Sequence, residues 1–222
     1  HIPLDTYESN LGCINIGLLE KFLNQYKGKV TYVSITGISN VTGILNPVNE
    51  VASLAHEYGT NIIVDAAQMA AHAPIKMSGF QDLTQEIDSL IFSGHKTYAP
   101  GSPGTVIARK SILSATEPEE VGGGMVERVY ENSYVVKSDF PDREEAGTPN
   151  ILGAIILGAS LEVLDRIGMD YILKKDLAMT NKLLSKMISI PDIVIYGDTD
   201  TETCPRAASI SFNVIGLDHG IV

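Results

Sequence analysis

Cysteine is nearly absent from this 222-residue chain. Cys13 and Cys204 occur without a CxxC pair or a His/Cys cluster, so neither a disulfide framework nor a structural zinc site is expected. That scarcity makes a reducing, cytoplasmic compartment the default expectation. Long apolar runs are missing too. No stretch reaches the roughly 18 residues of a membrane span, and the first residues show no basic segment followed by an apolar one. A secreted or membrane-spanning protein is therefore not expected. Positive charge is also short: Lys and Arg number 16 against 27 Asp and Glu, a formal net charge of −11. With no basic run to offset it, this balance disfavours nucleic acid or an anionic membrane surface as a partner. No internal repeat or low-complexity tract is found.

The length suits one large domain, or one domain with part of another. Apolar spacing at Ile16, Leu19, Phe22 and Leu23 predicts a helix within 14–26, and 29–35 follows as a β-branched strand. The pattern then repeats. Asn46 is placed to cap a helix with Pro47 at its first position, Val48, Val51, Leu54 and Ala55 form the apolar stripe, and Gly59 ends it. Residues 61–65 read as a strand suited to a parallel sheet covered on both faces. Further strands are predicted at 89–92 and 105–108, on either side of a loop that carries Lys96. Residues 117–150 read as a long irregular segment. Helices follow at 151–167, closed by Gly168, and at 171–188, then strands at 193–196 and 207–214. Such alternation implies an open α/β sheet, with ligands at the carboxyl ends of its strands. Asp65 and Ser93 fall at two such ends. The abrupt start at His1 and the stop just after a strand-like segment read as a piece of something longer.

The densest chemistry lies in Ser93-Gly94-His95-Lys96, about thirty residues after Val64-Asp65-Ala66-Ala67-Gln68. An aldehyde cofactor with an electron-sink ring, pyridoxal phosphate, needs a lysine amine for a Schiff base, an acid for its ring nitrogen, and donors for its phosphate. Lys96, Asp65 and the pair Ser93 and His95 match those needs. Burial and a neighbouring cation would favour the neutral amine at Lys96; the plainer alternative is a solvated loop lysine. A carboxylate at the end of a buried strand is costly unless it meets a cation, although Asp65 would also serve as a helix N-cap. Gln68 can reach the same face and donate to the ring's phenolic oxygen, or be a polar residue in an Ala-rich turn. Ser93 and His95, two apart, can point the same way; His95 alone would more often be structural.

Five segments in this order and spacing resemble the class V aminotransferase and cysteine desulfurase group of fold type I enzymes. They are Ser39-Asn40-Val41-Thr42-Gly43, Val64-Asp65-Ala66-Ala67-Gln68, Ser93-Gly94-His95-Lys96-Thr97-Tyr98, Gly122-Gly123-Gly124 and Glu145-Ala146-Gly147-Thr148-Pro149-Asn150. The resemblance implies a three-layer α/β/α large domain with a mostly parallel sheet over 1–168, and the start of a smaller α+β domain over 169–222. It implies pyridoxal phosphate bound by Asp65, Gln68, Ser93, His95 and Lys96, with Lys96 catalytic. Asn40 would contact substrate or cofactor near the reacting carbon, and Thr148 would head a helix and reach the phosphate of a neighbouring subunit in a homodimer. Arg143 would belong to the dimer-facing loop. The family's first phosphate turn, its ring-stacking side chain, its carboxylate-binding arginine and its reactive loop cysteine would all lie outside this span.

Departures concern the subgroup. Tyr98-Ala99-Pro100-Gly101-Ser102-Pro103-Gly104 replaces a more glycine-rich turn, Arg143-Glu144-Glu145 lacks a common aromatic, and Thr36-Gly37-Ile38 lacks a histidine found in many desulfurases. Cys204, before Pro205-Arg206, does not sit where the family's reactive cysteine would. His56 and His72 are read without a carboxylate and serine around them, which leaves a Ser-His-Asp hydrolase unsupported. The glycines at 122–124 precede no Lys-Ser/Thr, so a nucleotide loop is unsupported as well. The expected function is a pyridoxal phosphate enzyme acting on a small amino acid, desulfurase-like or an aminotransferase. The alternative is a catalytically incomplete piece serving as a folded core or dimerisation unit.

Overall fold

A computed structural model describes residues 5–6, 10–115, 117–207 and 209–221. In chain order the elements are β1 (Asp5–Thr6), β2 (Asn10–Ile14), α1 (Ile16–Gln25), β3 (Tyr32–Thr36), α2 (Val48–Glu57), β4 (Asn61–Asp65), α3 (Met69–His72), β5 (Ser89–Ser93), β6 (Gly104–Ala108), α4 (Lys110–Leu113), β7 (Val126–Val129), β8 (Tyr134–Val136), α5 (Ile151–Ile167), α6 (Met169–Met187), β9 (Ile193–Tyr196) and β10 (Ser211–Val214).

The central sheet has the order β3-β4-β5-β6. The first three strands are parallel, and β6 turns back antiparallel to β5. Register places Val33 beside Ile62, and Ile35 beside Val64 and then Leu90, so these buried side chains share one face. Leu19 and Leu23 of α1, the α2 stripe of Val48, Val51, Ala52 and Ala55, and Leu157 of α5 join them in a single core. On the opposite face Ile63 is half-buried, whereas Ser34 and Ile91 are exposed. The aliphatic run of β4 thus alternates in its burial more than its composition suggests.

Local chemistry explains most boundaries. Asn15 caps α1, its Oδ1 accepting from Leu18 N–H at 2.8 Å. Gly168, at φ +92°, stops α5 and donates its N–H to Leu164 O. The α2 start differs from expectation. Pro47 is its N-cap, while the Asn46 side chain turns back to donate to Thr36 O at 2.8 Å, fastening α2 to the end of β3. Within 117–150, expected to be irregular, β7 and β8 form an antiparallel hairpin.

Two buried polar knots were not anticipated. At the amino end of β5, Asp88 is 2% exposed and accepts from Ile62 N–H at 2.8 Å. His56 Nε2 lies 2.7 Å from its Oδ2, and Arg109 Nε 3.1 Å from its Oδ1. His56 therefore does have a carboxylate partner, and so does His72, whose Nδ1 lies 2.8 Å from Asp176 on α6. A hydrolase triad still fails. His56 Nδ1 is occupied by Thr84 O at 2.6 Å, so neither ring nitrogen remains to take a hydroxyl proton.

The second knot is Arg206, which is fully buried. It donates to the carbonyls of Thr42 at 2.7 Å, Asp198 at 3.1 Å and Tyr196 at 3.0 Å, binding the β9–β10 region to the turn after β3. Burial holds its guanidinium below the usual arginine range, and the Asp198 carboxylate opposes that shift. Beside it, Cys13 and Cys204 are joined as a disulfide, their Cα atoms 6.3 Å apart across 191 residues. The expectation of unpaired cysteines is corrected here: the fold brings the β9–β10 connection to β2, which spacing along the chain does not reveal. Among the described residues no helix is long and apolar enough to cross a membrane.

Candidate active site

Parallel pairing fixes where the polar residues gather. Thr36 stands opposite Asp65, and Asp65 opposite Ile91, so β3, β4 and β5 finish side by side. The ladder continues past the strands, with Gly37 N–H donating to Asp65 O and Ala66 N–H to Ile91 O, both at 2.8 Å. Three turns therefore leave the carboxyl end of the sheet: the first carries Asn40, the second Asp65 and Gln68, the third Ser93, His95 and Lys96.

The Asn40 turn is tightly wound. Ser39 Oγ accepts from Val41 N–H at 3.2 Å and Thr42 N–H at 3.1 Å, and Gly43 N–H closes onto Ser39 O at 2.9 Å. Gly43 has φ +72°, and a Cβ there would collide with the Ser209 carbonyl. Only glycine satisfies both demands. Asn40 itself is exposed at the tip.

In the second turn Asp65 Oδ1 accepts from Ala67 N–H at 2.9 Å. The carboxylate caps no helix. Gln68 holds the N-cap position of α3, without a side-chain capping bond. Although Val64 and Ala66 on either side are fully buried, Asp65 is exposed, contrary to the buried acid expected. Its neighbours supply the apolar surroundings while the carboxylate faces outward.

The third turn is the most constrained. Residues 94–97 form a single 3-10 turn, and Thr97, fully buried, donates its hydroxyl to Gly94 O at 2.8 Å. From α5, Ser160 donates its hydroxyl to Thr97 O. Tyr98 then adopts φ 62°, the one non-glycine residue in the left-handed region among those described. That conformation costs about 1–2 kcal/mol, and it lies two residues after Lys96. A Cβ at Gly94 would strike Ser102 Oγ, a buried hydroxyl with no hydrogen-bond partner among the described residues. Lys96 and Ser93 are half-buried and His95 is exposed.

Six of the seven expected residues thus belong to these adjacent turns. Among the described residues Thr148 does not join them by hydrogen bonding. It is exposed, two residues ahead of Asn150, the true cap of α5, whose Oδ1 accepts from Gly153 N–H at 3.0 Å and whose Nδ2 donates to Gly101 O at 2.7 Å. The expectation that Thr148 heads the helix is corrected accordingly. Arg143, in the same connection, lies 3.4 Å from Glu117 and 3.6 Å from Glu144. The residues missed in the sequence are those holding the lysine turn, namely Thr97, Ser102 and Ser160. The adjacency of Thr97 to Lys96, and Ser160 as the lone hydroxyl in an apolar helix, were the available signals.

The donor set suits an anionic, aldehyde-bearing cofactor. Among the described residues the side chains of Asn40, Gln68, Ser93, His95 and Lys96 make no hydrogen bond or ion pair to protein, and Asp65 uses one oxygen only. Among the described residues an amine, one carboxylate oxygen and several donors stand unengaged at the carboxyl ends of adjacent strands, on backbones fixed by internal bonds. Such an arrangement can bind a group covalently, hold a proton opposite it, and donate to a phosphate.

Residues 10–221 match the family described as Aminotransferase class-V. A cysteine desulfurase of Escherichia coli O8 (strain IAI1) is 34% identical over 201 residues, covering 90% of this chain and 47% of that protein. The apo structure of a cysteine desulfurase from Thermococcus onnurineus NA1 superposes with a TM-score of 0.83 at 30% identity, over 98% of this chain and 52% of the other. The cysteine desulfurase CsdA from Escherichia coli gives a TM-score of 0.72 at 29% identity, over 90% and 48%. The chain spans about half the length of these relatives. Its α/β architecture with a mostly parallel central sheet is that of fold type I, as the sequence led us to expect.

Proposed function

The chain belongs to the class V aminotransferase family, and from that premise we propose that it supplies the cofactor-binding part of a pyridoxal phosphate enzyme acting on a small amino acid, with removal of sulfur from cysteine as the leading reaction. The observation that carries this reading is Lys96 on a rigid turn beside Asp65, at the ends of neighbouring parallel strands. The names of the relatives favour desulfuration over transamination. When bound, the cofactor would supply an aldehyde for amines and a ring that withdraws electrons.

Lys96 would hold that aldehyde covalently and, once released by substrate, move a proton at the substrate α carbon. Asp65 would keep the ring nitrogen protonated through its unengaged oxygen. Gln68 would donate to the phenolic oxygen, Ser93 and His95 to the phosphate, and Asn40 would position the group near the reacting carbon. In a homodimer Thr148 would donate to the partner's phosphate, with 117–150 at the interface. We assign residues 1–168 to the large domain and 169–222 to the smaller one, and the cytoplasm as the compartment. Sedimentation of the cofactor-loaded chain at micromolar concentration tests the dimer; a monomer there counts against it.

The test of the site is to add pyridoxal phosphate, reduce with borohydride, and locate the modified lysine by peptide mass spectrometry. Modification confined to Lys96 is expected, and Lys96→Ala abolishes it. Labelling scattered over other lysines sinks the assignment. A second reading follows from the chain spanning half of its relatives' length: as it stands, it is a folded core without turnover. Trapping at Lys96 without any conversion of cysteine, against both in a protein of the relatives' full length, selects that reading.

A further inference from the structure

The disulfide lies where the Asn40 turn is fastened. On one side of that turn, Gly12 sits so that a Cβ there would be 3.1 Å from Ile44 Cδ1. Opposite it, the residues after Cys204 hold the turn's backbone. Leu45 N–H donates to Pro205 O at 2.8 Å, Arg206 Nε to Thr42 O at 2.7 Å, and Ala207 N–H to Gly43 O at 2.8 Å. Ser211 adds its hydroxyl to Val41 O at 2.5 Å. The Cys13–Cys204 bond therefore joins the segment that lies against Ile44 to the segment that pairs with the backbone of Thr42–Leu45. Both cysteines also line a cavity of about 540 Å³, together with Leu45, Asn46 and Pro205. Cys13 is the more exposed, with Cys204 only 4% exposed.

We propose that Cys13 and Cys204 form a thiol–disulfide exchange site for low-molecular-weight disulfides and thiols, whose oxidised state fixes the turn carrying Asn40 and whose reduced state loosens it. The thiolate of Cys13 attacks one sulfur of the reagent disulfide RSSR, forming a mixed disulfide and expelling RS⁻. The thiolate of Cys204 then attacks the Cys13 sulfur, forms the Cys13–Cys204 bond and expels the second RS⁻. The two thiol protons end on the two departing groups. Two protein thiols and one RSSR become one protein disulfide and two RSH, with two electrons passing to the reagent; excess thiol reverses the sequence. A reducing compartment would hold the pair as dithiol until the thiol pool is oxidised. The consequence for the cofactor rests on the proposed function, because it requires Asn40 to be a site residue; the exchange itself does not.

The test uses the full chain without cofactor. It is reduced, treated with glutathione disulfide, alkylated, digested and analysed by mass spectrometry, while amide hydrogen exchange is followed at Leu45 and Ala207. The expected result is one peptide pair linked through Cys13 and Cys204, with exchange at both amides about tenfold slower in the oxidised chain. In Cys13→Ser, checked for native far-UV circular dichroism, exchange no longer responds to oxidant. Separate glutathione adducts on the two cysteines, or a linked pair with unchanged exchange, overturn the proposal. If exchange responds but pyridoxal phosphate is trapped at Lys96 in neither redox state, the cofactor reading fails and the exchange site stands.

Discussion

Ser160, midway along α5, donates its hydroxyl to the carbonyl of Thr97, the residue next to Lys96. A long helix thereby grips the backbone of the proposed catalytic turn. The turn needs this grip, because Tyr98 is left-handed immediately after it and a relaxed backbone would abandon that conformation.

Removing the grip gives a first prediction. Ser160→Ala leaves Thr97 O without its donor and lowers stability by about 1–2 kcal/mol, read from the urea midpoint. Borohydride trapping of pyridoxal phosphate at Lys96 falls as well, because the amine is no longer held in place. An unchanged midpoint together with unchanged trapping would show that the turn is rigid without α5.

Ser102 gives an opposite expectation. Its hydroxyl is buried beside Gly94 and has no partner among the described residues. An unsatisfied buried hydroxyl costs about 1–3 kcal/mol, so Ser102→Ala raises the stability of the cofactor-free chain by up to about 1 kcal/mol. If the hydroxyl serves the cofactor instead, the same variant binds pyridoxal phosphate more weakly. Denaturation with and without cofactor separates the two, and destabilisation of the free chain would reveal an unseen partner.

A pH effect follows from Asp82, ahead of a short 3-10 turn. Hydrogen bonds from the Thr84 hydroxyl, at 2.6 Å, and then the Thr84 N–H, at 3.0 Å, hold its carboxyl below the ordinary value of 3.8. The folded value is depressed, so the contribution is fully present above 3.8 and is lost as pH falls through the lower, folded value. Asp82→Ala is therefore less stable than the parent near neutral pH, and the gap narrows in acid. A gap that stays constant through that range would refute the coupling. The carboxyl is exposed, so the difference is small.

Much of this architecture was legible in the chain, for reasons that differ by element. The bounds of β4 follow from an aliphatic run between Gly59 and an Ala-rich turn, and the end of α5 from Gly168, since such stops are local chemistry, whereas its cap was misplaced at Thr148. The convergence of Asp65 and Ser93 followed from strands alternating with helices. Strand direction carries no periodicity, so the reversal of β6 was invisible. Asn46 was misread as a cap because its partner, Thr36 O, is a tertiary contact. The Cys13–Cys204 pair and the Arg206 knot span 191 and 164 positions, separations at which sequence spacing holds no information about contact. Asp88 reads as one more polar residue at a strand start until Ile62, His56 and Arg109 are seen around it.

Asp65 and Lys96 divide the proposed chemistry, and single variants separate their parts. Lys96→Ala removes the amine and with it all covalent capture. Asp65→Ala leaves the amine and its turn intact, since among the described residues the carboxylate's one hydrogen bond is from Ala67 N–H within its own turn. Capture by borohydride therefore persists in Asp65→Ala, at reduced yield. Reactivity does not persist: without an acid to hold the ring nitrogen protonated, the ring is a poor electron sink, and proton removal from a bound amino acid slows by at least about a hundredfold. Deuterium exchange at the α carbon of cysteine in the full-length enzyme measures that step directly. Equal rates in Asp65→Ala and the parent would remove Asp65 from the site and leave the Lys96 turn without its partner acid.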